Sequence, residues 1–254
     1  MNILADNGGN PDYLSIMANR AAAYSGNLGE KRKEFCLRFI ENKKTVFKQI
    51  SARQIATVSK QGKSISCHQG CTYCCLAYMQ ASIQECEAIV YYLYSNDQIL
   101  TNFINNYAAW RQKLRQNGDI FIGCGESWLQ REQPDEAGSK VIPLQEMEAE
   151  YREQAIYCPF LNNGSCSIYD VRPFTCAAIV AATPPEWCSP ASGNSPSTYV
   201  FTAAEVFDTS FYYNKIEGTV LAFMPLAVYS ILTEGYRLLD GIPGLEGIQE
   251  ASSS

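Results

Sequence analysis

The chain has 254 residues, 46% of them hydrophobic, and a formal charge of −6. That length can bury a sizeable core in one large domain or in one domain with a helical appendage. The acidic balance argues against a non-specific nucleic-acid binder, which needs a basic face, and against attachment to an anionic membrane by charge alone.

Residues 1–11 are mostly Asn, Gly, Asp and Pro, with little to bury, and read as a loose tail. The start has no basic cluster and no apolar stretch of secretory length. The longest apolar-rich run, near Thr219 to Leu232, is broken by Pro225 and Ser230, and a membrane span needs roughly 20 mainly apolar residues. The expectation is a cytoplasmic protein without a membrane partner, in a compartment that keeps thiols reduced.

From Asp12 to about Gln61 the pattern is helical. Phe35, Phe39, Val46, Phe47 and Ile50 recur at helical intervals with Lys, Arg and Glu between them, and Gly26 and Gly29 divide the stretch into two helices. Residues 62–80 carry dense cysteines among Gly, Ser, Thr and Gln and predict irregular loop. Ser82-Ile-Gln-Glu85 is a capping box for a helix whose inner face carries Ile83, Cys86, Ile89, Val90 and Leu93. Ser95-Asn96-Asp97 breaks it before a second helix with Ile99, Phe103, Tyr107, Trp110 and Leu114, stopped at Asn117-Gly118. Residues 119–140 read as a surface loop and Pro143 to Ala155 as a helix.

Asn162-Asn163-Gly164 then predicts a small hairpin. Asp170 is a plausible cap for a short helix that Pro184 and Pro185 end, and the last long helix runs from about Thr219 to Leu239. The fold class expected is mainly α, with helices flanking irregular cysteine-rich loops and little β. Its parts are a helical N-terminal region (1–61), a cysteine-cluster metal-binding domain (62–190) and a C-terminal helical region packing on it (191–254).

Eleven cysteines stand in the chain. An odd count without a secretion signal is a poor disulfide framework. Cys67, Cys71, Cys74 and Cys75 fall within nine positions. Thiols so crowded make poor core filler and oxidise readily, so metal ligation is the stronger explanation. The two residues between Cys71 and Cys74 let a turn present both sulfurs, and Gly70 supplies backbone freedom. Cys158, Cys166 and Cys176, with Cys188 further on, form the second half of a ligand set that a four-thiolate site would draw from two places. Cys36, Cys86 and Cys124 stand apart and read as small buried hydrophobes. His68 is the only histidine; it lies inside the cluster, where ligation is conceivable, but the favoured reading is an exposed loop residue beside a ligand. Serine-type triads and histidine-rich catalytic zinc sites are thereby excluded. Arg172 can offset thiolate charge, Pro173 fits the first turn of the helix carrying Cys176, and Tyr169 reads as packing.

Cys67-x-x-x-Cys71-x-x-Cys74-Cys75, followed by Cys158-Pro-Phe-Leu, then Gly164-x-Cys166-x-Ile-Tyr-x-x-Arg172-Pro173-x-x-Cys176, resembles the YkgJ-type cysteine-cluster family. The resemblance covers about residues 67–188 and implies a zinc- or iron-chelating domain. That family also contains flagellin lysine N-methylases, so the kinship allows a protein substrate and S-adenosylmethionine as a further cofactor; residues 1–60 and 190–254 carry no methylase motif.

Cysteine-only ligation suits zinc and iron–sulfur clusters alike. Adjacent Cys74 and Cys75 rarely serve one tetrahedral zinc. Two metals, one spare thiol or a multi-iron cluster all satisfy the pattern; iron–sulfur is the favoured cofactor, zinc the alternative. Cys67-x-x-x-Cys71-x-Tyr73-Cys74 also matches the spacing of radical S-adenosylmethionine enzymes, but those build on a barrel of alternating strands and helices, which this sequence does not predict. Three classes stand side by side: a metal-dependent enzyme, a metal or electron carrier, and a structural module.

Overall fold

The computed structural model describes residues 12–116, 144–201 and 221–234. Over these the protein is mainly helical with a few very short strands. The sequence expectations for 1–11, the Asn117-Gly118 stop, the 119–140 loop with Cys124, and the expected end positions Thr219 and Leu239 of the last helix lie outside the described residues.

Helix α1 spans Tyr13–Ala23 and α2 spans Gly26–Ser59. The chain turns at Tyr24-Ser25, and Gly26 takes φ +68°, a left-handed conformation that glycine adopts without penalty. The expected division into two helices is therefore present at Gly26, whereas Gly29, also expected to break the stretch, lies inside α2. On α2, Phe35, Phe39, Val46 and Ile50 are buried as their spacing requires.

Strand β1 (Gln80–Ser82) runs straight into α3 (Ile83–Tyr94). The Ser82 hydroxyl accepts from Glu85 N–H at 3.2 Å, and the Glu85 carboxylate accepts from Ser82 N–H at 3.1 Å. This is the expected capping box. Ser82→Ala should lower stability by about 0.5–2 kcal/mol, readable as a fall in urea midpoint with an unchanged slope. Helix α4 (Asp97–Gln116) follows, burying Phe103, Tyr107, Trp110 and Leu114.

Beyond α5 (Leu144–Glu153), β2 (Leu161–Asn162) and β3 (Ser165–Cys166) pair antiparallel. Asn163 (φ 48°) and Gly164 (φ 74°) form the turn, both with positive φ, as the favoured two-residue hairpin turn demands. Helix α6 (Phe174–Ala178) comes next. It departs from expectation at both ends. Asp170 lies inside a 3-10 turn (Tyr169–Val171), and Pro173 occupies the N-cap position. Proline has no cap side chain, and the orphan N–H of Phe174 instead donates to the Glu85 carboxylate of α3 at 2.7 Å. At the far end Ile179–Ala181 leaves the helix as β4, paired antiparallel with β5 (Thr198–Val200), well before Pro184.

The last helix also starts later than its apolar run suggests. Leu221–Phe223 forms β6, paired antiparallel with β1 in the register Gln80↔Phe223, and α7 spans Met224–Glu234. Pro225 sits in its first turn, where a missing N–H costs nothing. Helix α3 lies at the centre, packed against α2, α4 and α7. Aromatic stacking closes the core: Tyr107 on Tyr229 at 3.8 Å and Tyr78 on Phe223 at 4.0 Å between ring centroids.

Charged groups enter this core. Arg32 and Lys43 on α2, and Glu85 and Glu87 on α3, are all buried. The Arg32 guanidinium pairs with both Glu87 oxygens, and Lys43 pairs with Glu85 at 3.1 Å. The charged residues of α2, read from sequence as lying between core positions, are thus not all at the surface. No described helix is long and apolar enough to cross a membrane.

Candidate metal centre

The first cysteine segment is shaped by turns. Gly70 takes φ 95°. Cys71 N–H donates to His68 C=O at 3.1 Å, and Cys75 N–H to Thr72 C=O at 2.9 Å. Tyr73–Leu76 is a 3-10 turn carrying Cys74 and Cys75. Successive residues of such a turn are about 120° apart, yet the Cys75 thiol still reaches the Cys74 thiol and hydrogen-bonds it.

The second segment is bonded to the first. Cys158 N–H donates to Cys75 C=O at 2.8 Å, across 83 positions of chain (158 − 75). Helix α4 fixes this loop. Phe103 stacks on Phe160 at 4.2 Å, and the Asn106 amide donates to the carbonyls of Pro159 and Leu161. Cys166 follows on β3, opposite Leu161.

Cys176 rides on α6, which is anchored from three sides. Besides the Glu85 contact, Thr175 donates to Gln80 C=O at 2.6 Å and Gln54 to Ala177 C=O at 2.7 Å. Lys43 donates to Val171 C=O at 3.2 Å, just before the helix.

A further group lies at the loop's edge. Cys67 Sγ accepts from Ala181 N–H at 3.2 Å, and Ser66 N–H donates to Ala181 C=O at 2.9 Å, placing Cys67 beside β4. Cys188 ends a 3-10 turn (Pro185–Cys188) packed against the Tyr73–Leu76 turn. Its carbonyl accepts from Arg152 of α5 at 2.5 Å.

The thiols act on one another electrostatically. Burial pushes Cys158 up to about 12, with Cys166 and Cys74 adding to it. Cys176 is raised by burial and then by Cys74, Cys158 and Cys166. Cys188 is raised by burial and then by Cys67 and Cys71. Cys74 is pulled down to about 7, first by the hydrogen bond from Cys75 and also by Arg172; Cys75, which gives that bond, is pushed up. Repulsion between gathered thiolates is relieved by protons or by a cation.

Arg172 is held where such a cation is needed. Its guanidinium lies 3.7 Å from the Tyr169 ring centroid and 5.0 Å from that of Phe47, and it donates to Tyr169 C=O at 2.6 Å. It lowers Cys74, Cys166 and Cys176. Tyr169 is thus a packing residue for Arg172.

All described cysteines are free thiols. Cys75, Cys158, Cys166, Cys176, Cys71 and Cys188 are half-buried; Cys67 and Cys74 are exposed. Cys36 and Cys86 lie in the core. His68 is exposed, its Nδ1 3.0 Å from Ser66 C=O. Among the described residues, no three histidine, cysteine or carboxylate side chains close into an ion-holding shell. The donor chemistry, soft thiols with nearby guanidinium and ammonium groups, suits zinc or iron–sulfur. Compared with protein-family models, curated proteins and solved structures, the chain shows no match to any.

Proposed function

We propose that this chain is a cytoplasmic thiolate metalloprotein whose cysteines hold iron–sulfur, with zinc as the alternative metal. The observation that carries this reading is the 2.8 Å bond from Cys158 N–H to Cys75 C=O. It joins the two cysteine segments, and the thiols around it raise one another's pKa. A folded chain without a cation has no reason to gather so many thiols, since each adds repulsion or holds a proton. On this reading the Cys67–Cys75 and Cys158–Cys188 segments draw in around the metal on loading. Its partners are metal and, through the YkgJ-type resemblance, a protein substrate; nucleic acid is not among them.

The test is anaerobic purification of the full chain with metal and acid-labile sulfide analysis. Iron with sulfide supports the favoured form, and zinc without sulfide the alternative. A folded chain with neither overturns the proposal. Titration with S-adenosylmethionine separates an enzyme from a carrier or structural module, because only the enzyme reading expects saturable binding.

Arg172 offsets thiolate charge without ligating. Arg172→Gln should weaken metal affinity by about 10–100-fold, the usual cost of losing a group that supports the ligands. Competition with a chelator measures it, and unchanged affinity would assign Arg172 to packing on Tyr169 alone.

A further inference from the structure

We propose that the buried Lys43–Glu85 pair positions the metal ligands: Glu85 ties the start of α6, which carries Cys176, to the junction of β1 and α3, which continues the chain from Cys74 and Cys75. The inference rests on the thiolate-metal reading above and assigns to that site two residues that ligate nothing.

Both oxygens of Glu85 are committed. Oε2 accepts from Ser82 N–H at 3.1 Å and lies 3.4 Å from the Ser82 hydroxyl. Oε1 accepts from Phe174 N–H at 2.7 Å and from Lys43 Nζ at 3.1 Å. Lys43 Nζ also donates to Val171 C=O at 3.2 Å. One carboxylate thus holds two backbone amides 92 positions apart (174 − 82). Thr175 adds a second tie to the same junction, donating to Gln80 C=O at 2.6 Å. Gln80 comes four positions after Leu76, where the turn carrying Cys74 and Cys75 ends (80 − 76). Cys176 comes two positions after Phe174 (176 − 174). Its N–H closes on Pro173 C=O at 3.1 Å, so its backbone moves with the amide that Glu85 holds.

A buried ion pair is a poor source of stability, because desolvation offsets the attraction and a well-packed apolar pair does as well or better. An apolar pair could not supply acceptors for two amides on different segments, and buried amides need acceptors. A metal centre needs such a tie. Thiolates sit at about 2.3 Å from zinc, and groups behind the ligands set that geometry. The other buried pair between α2 and α3 has no such reach. Glu87 bonds to Arg32, Tyr24 and Cys36, and none of these lies in either cysteine segment.

The test is the Zn(II) affinity of the reduced full chain, by competition with a chromogenic chelator under anaerobic conditions, in wild type, E85Q and E87Q. Glu85→Gln keeps the side chain's shape but leaves one acceptor oxygen, which can serve Phe174 or Ser82 and not both. E85Q should weaken zinc binding by about 10–100-fold, the usual cost of losing a group behind the ligands, whereas E87Q should stay within about twofold of wild type. Equal affinities for E85Q and wild type overturn the positioning role and leave the metalloprotein reading standing. Equal weakening in E85Q and E87Q also overturns it, because lost stability then sets the effect. No zinc uptake by wild type overturns both. Should E85Q not fold, K43M takes its place in the same comparison. If neither E85Q nor K43M folds, the pair is a requirement of the fold alone and the positioning role falls.

Discussion

Replacing Cys71 and Cys176 together with Ser is expected to give a chain that no longer holds metal and that protease cleaves between the two cysteine segments. The magnitudes make the effect large. Structural zinc contributes on the order of 10–16 kcal/mol in small peptides, whereas whole domains are stable by only about 5–15 kcal/mol. The metal would join segments 83 positions apart (158 − 75), and loop-closure cost rises by only about 0.6 kcal/mol per doubling of length. Loop entropy therefore offsets little of what ligation contributes. Without metal, buried thiols such as Cys158 and Cys176 stay protonated or repel their neighbours. Single changes at Cys36 or Cys124 should leave metal content intact. A C71S/C176S protein with full metal content and an unchanged melting temperature would remove the basis for the proposed function.

Glu87→Ala is expected to destabilise the fold by about 3–5 kcal/mol, the usual cost of stripping one partner from a buried ion pair. Glu87 takes two of the hydrogen bonds of the Arg32 guanidinium, the third going to Ala23 C=O at 3.4 Å, and it also accepts from Tyr24 OH at 3.1 Å and lies 3.7 Å from Cys36 Sγ. All of this lies between α2 and α3, far inside the core. An arginine cannot shed its proton to escape burial, so the charge is left unpaired. Lys43 could do so, because burial has already lowered its pKa, and a change at Glu85 would be cushioned to that extent. For a chain of this size the expected fall in melting temperature is on the order of 10 °C. Replacing both partners, as R32M/E87M, should cost less than E87A alone, because no charge is then stranded. Equal losses for the two variants would show that volume, and not charge, sets the effect.

Local signals in the sequence translated well. Ser82 and Glu85 lie three residues apart, so their capping box needs nothing from the rest of the chain. Asn163-Gly164 likewise fixes its own turn through positive φ. The spacing of Phe35, Phe39, Val46 and Ile50 marks one buried face, and the mainly helical class follows from such stretches. Long-range pairings left no trace. Strand β6 is three residues long, too short to show a period, and its partner β1 lies about 140 positions earlier. The apolar run before Met224 therefore reads as helix until the strand pairing is known. The N-terminus of α6 differs from the sequence expectation for the same reason: Asp170 is the nearest polar candidate along the chain, but the acceptor is Glu85, 89 positions away.

The cysteines divide along the same line. Their spacing marks Cys67 to Cys75 as a ligand loop, and the 3-10 turn at Tyr73–Leu76 is local enough to be expected from the sequence as a short turn. What the spacing cannot show is which thiols face one another. The bond from Cys158 to Cys75 and the packing of the Cys188 turn on the Cys74 turn depend on α4 and α5 holding the second segment in place. Arg32 and Lys43 were hidden because a charged helical position reads as solvated unless its buried partner is known, and those partners are on α3.

X-ray absorption at the metal edge of the anaerobically purified full chain tests the central claim most directly. The account predicts bound zinc or iron with a shell dominated by sulfur, at about 2.3 Å for zinc. A folded chain whose metal has an oxygen- and nitrogen-dominated shell, or which binds no metal, would contradict it.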